Sequence, residues 1–319
     1  MGTESSNNRI ADLRKKILTT ASTPTWRTPD DLSRMSLEAL TSRSEGVRES
    51  LSSGSIHLAG GGVKGSSASF SDVGDVMKNF QKLITALGAS RRGYTNLKGK
   101  IAADVSSLTN LRLIASPFVG SVVLDFMPDI HPSEELAPAG QPAILDQPTE
   151  QLSDASVSEA LEILQSIKEV GPDADGSEFL ASVSARGPRA ATAVRDFART
   201  LAAGDFETDM SWRIPGRPTI RTILTSSEAD HISRLIVNRE LDKDETSIEG
   251  VLRTVSDLSA LYVQTDEGLE SIDGKDLPPE AIAAAHVQAR VRVRVEMTIQ
   301  QRPGGIDVPK YRALSMEFL

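Results

Sequence analysis

The amino-acid sequence predicts an α+β fold with an N-terminal α/β part, a mostly helical middle part and a small five-stranded β-barrel at the C-terminus. Three observations lead to this prediction. Helical apolar spacing and short β-rich runs are mixed in the first part of the chain. Prolines then interrupt the pattern near residue 128, and helical spacing dominates again after residue 150. After Thr246 the apolar residues recur with a period of two, which is typical of strands.

These changes in composition divide the chain into four predicted segments. Residues 1–127 form an N-terminal α+β domain, 128–150 a proline-rich linker or arm, 151–245 a mostly helical middle region and 246–319 the barrel. The length of 319 residues agrees with roughly two or three domains. The linker is predicted to be exposed and without regular structure, because it is polar, lacks an apolar period and contains five prolines.

The N-terminal part contains one strongly periodic helix. Val73, Val76, Phe80 and Leu87 are part of an apolar stripe at three- and four-residue spacing, and Gly88 is expected to end the helix. Other elements predicted before residue 128 are a short amphipathic helix over 8–20 and strands over 55–58, 111–114 and 119–126.

The middle region contains sequence patterns that are typical of helix starts and ends. Thr225 with Glu228 three residues later forms a capping-box pattern that predicts a helix start. Further predicted elements are helices over 154–170 and 188–204 and a hairpin with strands over 212–214 and 220–224.

The last segment alternates most clearly. Val291, Val293 and Val295 are separated by polar residues in the cleanest strand pattern of the chain. The predicted order is strands over 248–255, 261–264 and 269–272, a short helix over 278–286, and strands over 287–299 and 311–318. Three strands, a helix and two strands is the order of a five-stranded OB-type barrel, so the segment resembles this fold.

Three arginines lie opposite the valines of that strand. Alternation places Arg290, Arg292 and Arg294 on one face roughly 7 Å apart, about the spacing of phosphates along a single strand. With Arg302 in the following turn and Tyr262 as a stacking platform, they form a candidate interface for single-stranded nucleic acid.

The alternative for these arginines is a solvated strand face. In that case they would pair across strands with acids such as Glu249 or Glu317. The segment as a whole carries more acidic than basic residues, which favours this alternative.

Composition limits the classes of function. The absence of cysteine excludes disulfides, thiolate catalysis and cysteine-ligated metals. With an N-terminus that lacks a signal pattern, it predicts a cytoplasmic protein, and no apolar run long enough to span a membrane occurs. The excess of Arg over Lys suggests a bacterial source. A net charge of -9 excludes a basic coat over the whole chain, although not a local basic strip.

No motif predicts catalysis, a cofactor or a metal. The glycine-rich loop 60–67 fails as a phosphate loop because Lys64 precedes Gly65 rather than following it. The four histidines lack ligand spacing, and the acids of 242–245 lack the glycine and the final glutamate of a calcium loop. We therefore favour a protein that is not an enzyme and has no cofactor; an enzyme whose site assembles from distant residues stays an alternative to both hypotheses below.

Two functional hypotheses remain open. In the first, the barrel of a non-catalytic protein binds a macromolecular partner, with single-stranded nucleic acid preferred by analogy with other OB-type folds. In the second, the chain is a structural or regulatory subunit, such as a component of a bacterial anti-phage system. It would then bind another protein or a second copy through the proline-rich arm and the barrel edges.

Overall fold

A computed structural model describes residues 51–114, 122–136, 150–167, 177–256, 260–302 and 306–319. The helix predicted over 8–20 lies outside this range. Within it the chain is a mixed α+β protein.

The strands are β1 (Ser53–Ala59), β2 (Val63–Lys64), β3 (Ser67–Ala68), β4 (Leu111–Ile114), β5 (Val122–Pro128), β6 (Glu207–Arg213), β7 (Ile220–Leu224), β8 (Asp244–Thr254), β9 (Leu261–Gln264), β10 (Leu269–Asp273), β11 (Arg290–Arg302) and β12 (Ile306–Phe318). The helices are α1 (Phe70–Arg91), α2 (Ala103–Leu108), α3 (Pro132–Leu136), α4 (Leu152–Ser166), α5 (Ser177–Ser184), α6 (Gly187–Ala203), α7 (Ser226–Asn238) and α8 (Pro279–Ala284).

The first sheet has five strands in the order β4-β5-β1-β6-β7. Every pairing in it is antiparallel, with Ile56 opposite both Leu124 and Met210, so the predicted α/β part is wrong because that class requires parallel strands. Strands β6 and β7 come from the predicted middle region, whereas β1, β4 and β5 precede the proline-rich stretch. The two segments therefore contribute to one sheet.

One face of this sheet carries a tightly packed aromatic stack. Phe126 and Trp212 lie parallel with ring centroids 5.5 Å apart, and Phe80 of α1 meets Phe126 edge-on at 5.3 Å. The stack passes over Gly54 of β1, where an added Cβ would lie 2.4 Å from the Phe126 ring. A glycine at this position is therefore a packing requirement.

Helices α1, α4, α6 and α7 share a buried cluster with that face, which we call the core. Helix α1 continues to Arg91, so the expected end at Gly88 is wrong. Gly88 is buried, and a Cβ there would come within 2.4 Å of the Thr109 side chain, so this glycine permits close packing inside the helix.

The proline-rich stretch is partly ordered. Pro132–Leu136 is helical, which corrects the expectation of no regular structure there; residues 137–149 lie outside the described residues. The helix positions Glu135, whose carboxylate accepts a hydrogen bond from the Leu152 N–H at 2.8 Å and so caps α4. Burial raises the pKa of Glu135, while the bonds from Leu152 and Gln151 act to lower it.

The glycine-rich loop packs against the end of α6. Added Cβ atoms at Gly61 and Gly62 would lie about 2 Å from oxygens of Asp205 and Gly204. The loop then forms the small hairpin of β2 and β3. Its glycines are explained by this close packing.

Strands β8 to β12 form a second sheet that closes on itself, which we call the closed sheet. Its neighbours are antiparallel except for β10 and β12, which run parallel at Ile272 and Tyr311. The alternation of β11 is confirmed, because Val291, Val293 and Val295 are fully buried inside. All five strands and the short helix were predicted, although β12 begins five residues earlier than expected.

A buried charge cluster connects the core to the closed sheet. Arg195 of α6 donates to Asp196 Oδ1 from Nε and Nη2 at 3.0 and 2.8 Å, and its Nη1 pairs with Asp242 just before β8. Nη2 also donates to the carbonyl of Ile299 in β11 at 2.9 Å. All three charged residues are at most 7 % exposed. The guanidinium therefore satisfies groups from both parts of the molecule at once.

Within the described part of the chain, no helix is both long and apolar enough to cross a membrane.

Replacing Gly54 by Ala is expected to destabilise the protein by about 1 to 3 kcal/mol, because the new methyl group must displace the Phe126 or Trp212 ring. Urea unfolding measures this loss. The matched control is Gly74→Ala in α1, where no atom lies within 4 Å of the added Cβ and alanine favours the helix. Equal stability of the two variants would contradict the packing role of Gly54.

Replacing Arg195 by Met is expected to lower the free energy of unfolding by about 3 to 5 kcal/mol, because two buried carboxylates lose their cation. Arg199→Met is the control on the same helix, since Arg199 is half-exposed and lies 3.6 Å from Asp196. Adding Asp242→Asn to the Arg195 variant should recover part of the loss. An Arg195 variant as stable as the Arg199 variant would show that the cluster is not what couples the two parts.

Candidate binding surface of the closed sheet

The three arginines of the predicted basic strip lie on the outer face of β11. Arg290, Arg292 and Arg294 alternate with the buried valines and are exposed to solvent. Strand geometry keeps their Cα atoms roughly 7 Å apart. Both neighbouring strands, β8 and β12, present acidic or hydroxyl side chains beside them: Glu249, Ser247, Glu317 and Ser315.

Two of the three arginines are paired with carboxylates of β8. Arg292 Nε lies 2.6 Å from Glu249 Oε1, and Arg294 Nη2 lies 2.5 Å from Glu245 Oε2. The hydrogen bond to Glu249 and the charges of Glu249 and Glu317 raise the pKa of Arg292 above its ordinary value. These pairs are the cross-strand partners that the alternative interpretation of the strip required.

The five candidate residues do not form one patch. Arg302 ends β11, roughly 26 Å beyond Arg294 along the extended strand. Tyr262 is 38 % exposed but lies on β9, with β8 between it and β11. Arg290 has no ion pair with any residue that the structure describes, and it opens the strand. Only Arg290, Arg292 and Arg294 are brought together.

A cleft lies where the core meets one end of the closed sheet. Its volume is about 590 Å³. One wall is the loop Leu97–Gly99, which follows α1, and the other walls are residues of β8, β10, β11 and β12 and the turn Thr265–Glu267. The floor is apolar, formed by the ring of Tyr311 and by Pro309 over the buried Ile248 and Met297. Sequence reasoning missed this cleft because its walls come from five separate segments.

The rim of the cleft is acidic. Asp266, Glu267 and Glu270 form no ion pair with other described residues, whereas Glu249 is paired with Arg292. The hydroxyl of Tyr311 faces this charge, and its pKa is raised by burial and by the carboxylates of Glu270 and Glu267. Lys98 is the cation on the core side, and its Nζ donates to the Ser247 carbonyl at 3.3 Å.

A serine, a histidine and an aspartate share the open face of the five-stranded sheet but do not form a catalytic relay. Ser55 is hydrogen-bonded to Ser211 at 2.9 Å, and Arg221 binds both carboxylate oxygens of Asp209. Among the residues described, His57 has no hydrogen bond to any of them, although Asp209 is its cross-strand neighbour. Nucleophilic catalysis would need those contacts.

Metal binding has no support in the described ranges, where no group of three or more histidine or acidic side chains could hold an ion.

Comparisons of the chain with protein-family models, with curated proteins and with solved structures found no match. No functional residue is therefore transferred to this chain from a known protein.

The electrostatic coupling in the cleft can be measured through Tyr311. Replacing Glu270 by Gln is expected to lower the pKa of Tyr311, because a negative charge that opposes the phenolate is removed. In a background with Tyr94 and Tyr262 replaced by Phe, ultraviolet absorbance of the phenolate during an alkaline titration reports this tyrosine alone. Glu280→Gln, on helix α8, is the control because Glu280 is not among the charges that raise the pKa of Tyr311; equal titration curves for both variants would contradict the arrangement.

Proposed function

We propose that this chain is a binding protein that engages a macromolecular partner through its closed sheet, and that the partner is a protein rather than nucleic acid. The observation that carries the proposal is the pairing of Arg292 and Arg294 with Glu249 and Glu245. Phosphates would have to displace these carboxylates or lie beside them, which removes much of the gain from counterion release.

The connectivity supports an OB-like assignment of the closed sheet. Strands β8, β9 and β10 follow one another as neighbours, helix α8 follows β10, and β12 returns parallel to β10 while β11 joins β12 to β8. OB-type folds are five-stranded barrels that bind oligonucleotides or oligosaccharides. Fold analogy alone therefore favours nucleic acid, whereas the paired arginines of this particular surface support a protein partner.

The route to a protein partner differs from the one that the sequence suggested. Barrel edges are free only where the pairing ends, because β8 pairs with β9 and β10 pairs with β12 at Ile272 and Asp273, which closes the ring. The proposal therefore places the partner on the outer surface and at the ends of the closed sheet. Most of the proline-rich arm lies outside the described residues and does not enter the argument.

Single-stranded nucleic acid is the second candidate, and the exposure of the strip favours it. Side chains of Arg292 and Arg294 are 46 % and 61 % exposed, and the spacing of the strip matches a phosphate backbone. Exposed ion pairs are weak enough to be exchanged for a stronger ligand.

A salt titration of oligonucleotide binding separates the two candidates. We expect the unmodified protein to bind a labelled single-stranded oligonucleotide weakly, with no change when Arg290, Arg292 and Arg294 are all replaced by Gln. The double variant Glu245→Gln and Glu249→Gln leaves the same arginines without partners and is expected to bind more tightly and with a steeper salt dependence.

Nucleic acid would be the partner if the unmodified protein bound tightly with a steep salt dependence. In that case each single arginine substitution should lower the slope of log K against log salt by about 0.7. That result would overturn the proposal of a protein partner.

A further inference from the structure

We infer that the cleft beside Leu97–Gly99 binds a Lys or Arg side chain from a basic segment of the partner protein. The inference rests on the proposed function, because it names the chemistry of the partner that the closed sheet engages. It is carried by three features of the cleft that are independent of the arginine strip: charge, an apolar floor and a fixed wall.

The charge of the rim requires a cation. Asp266 and Glu267 lie in the turn between β9 and β10, and Glu270 follows on β10. None of them is neutralised by a described residue, and neither β9 nor β10 contains a Lys or Arg. Lys98 faces the cleft from the core side, but one ammonium group cannot balance three carboxylates. An arriving cationic group would be attracted by the field of all three.

The floor distinguishes a long basic side chain from a small cation. Its accessible apolar surface is the half-buried ring of Tyr311 and the exposed Pro309, and Ile248 and Met297 lie beneath them at 3 % and 4 % exposure. The methylene stem of Lys or Arg packs on such a surface while its charged end stays near the carboxylates. A volume of about 590 Å³ accommodates a side chain with part of its backbone.

The core wall of the cleft is held before any ligand arrives. Arg189 Nη2 donates to the carbonyls of Leu97, Lys98 and Gly99 at 3.2, 3.4 and 2.9 Å. From the other side, Asp244 Oδ2 accepts the Leu97 N–H at 2.8 Å. A wall fixed in this way loses little conformational entropy on binding, which favours recognition of an extended segment.

The test uses the full-length protein and a fluorescent tetralysine peptide with blocked ends, measured by anisotropy at physiological ionic strength. The cleft variant carries Asp266→Asn, Glu267→Gln and Glu270→Gln. The control variant carries Asp273→Asn, Glu280→Gln and Glu317→Gln, which remove the same charges from exposed positions elsewhere on the closed sheet. We expect the cleft variant to lose roughly tenfold in affinity and the control less than about twofold.

A second peptide tests the apolar floor. Tetraornithine has the same charge but one methylene fewer in each stem, and burial of one methylene corresponds to about a fourfold change in affinity. We therefore expect the unmodified protein to bind tetralysine about fourfold more tightly than tetraornithine. The cleft variant should keep this preference for tetralysine over tetraornithine only if the methylene stem of the lysine still reaches the apolar floor.

Three results would overturn the inference. Equal weakening by the cleft and control variants would mean that only the net charge attracts the peptide. Equal binding of the two peptides by the unmodified protein would remove the role of the floor, and spermine binding more tightly than tetralysine would identify a polyamine site. If the cleft variant did not fold, Glu267→Gln alone, in the exposed turn, gives the same comparison with a smaller effect. Each of these results leaves the oligonucleotide experiment unaffected, so failure of the cleft and failure of a protein partner are distinguishable.

Discussion

The structure depends on one buried guanidinium. Arg195 pairs with Asp196 and Asp242 and donates a further N–H to the Ile299 carbonyl, so a single side chain connects α6, the approach to β8 and the last part of β11. Buried charges are tolerated only when they are paired. If one partner is removed, the remaining buried charges keep the full free-energy cost of their desolvation without a compensating interaction. A buried electrostatic contact therefore holds the closed sheet on the core, and residues of both parts line the cleft between them.

The β11–β12 hairpin carries this coupling because it extends beyond the closed sheet. Strand β8 covers β11 only as far as Met297, whereas β12 follows it to Arg302. The extension reaches the core at Ile299 and again where Lys82 of α1 binds Asp307 at 2.6 Å. In OB-type folds the loop between the last two strands is one of the ligand-binding loops. In the proposed OB-like assignment, this contact of the hairpin with the core covers part of the surface that would bind an oligonucleotide.

The sequence predicted elements that depend on local periodicity. Alternation in β11 and the capping box at Thr225 are encoded within a few residues, and the structure confirms both. Helix α5 was missed, and antiparallel pairing of β1 with β6 was not predicted because the two strands lie about 150 residues apart. The candidate binding surface was likewise predicted only where local periodicity encodes it. The strip was located by its period, but its pairing with Glu249 depends on the register between β11 and β8, and the cleft combines five segments that no spacing connects.

The distribution of basic residues explains why the strip is neutral and the cleft acidic. Arginines of the closed sheet are concentrated on β11, where the glutamates of β8 lie directly beside them, so opposite charges cancel across the strands. Strands β9 and β10 contain no basic residue, and Lys98 is the one basic residue among those that line the cleft, so the three carboxylates there are not balanced. The negative charge of this surface is thus focused at one end of the closed sheet, beside an apolar floor. A surface built in this way attracts a cationic side chain and repels a phosphate backbone.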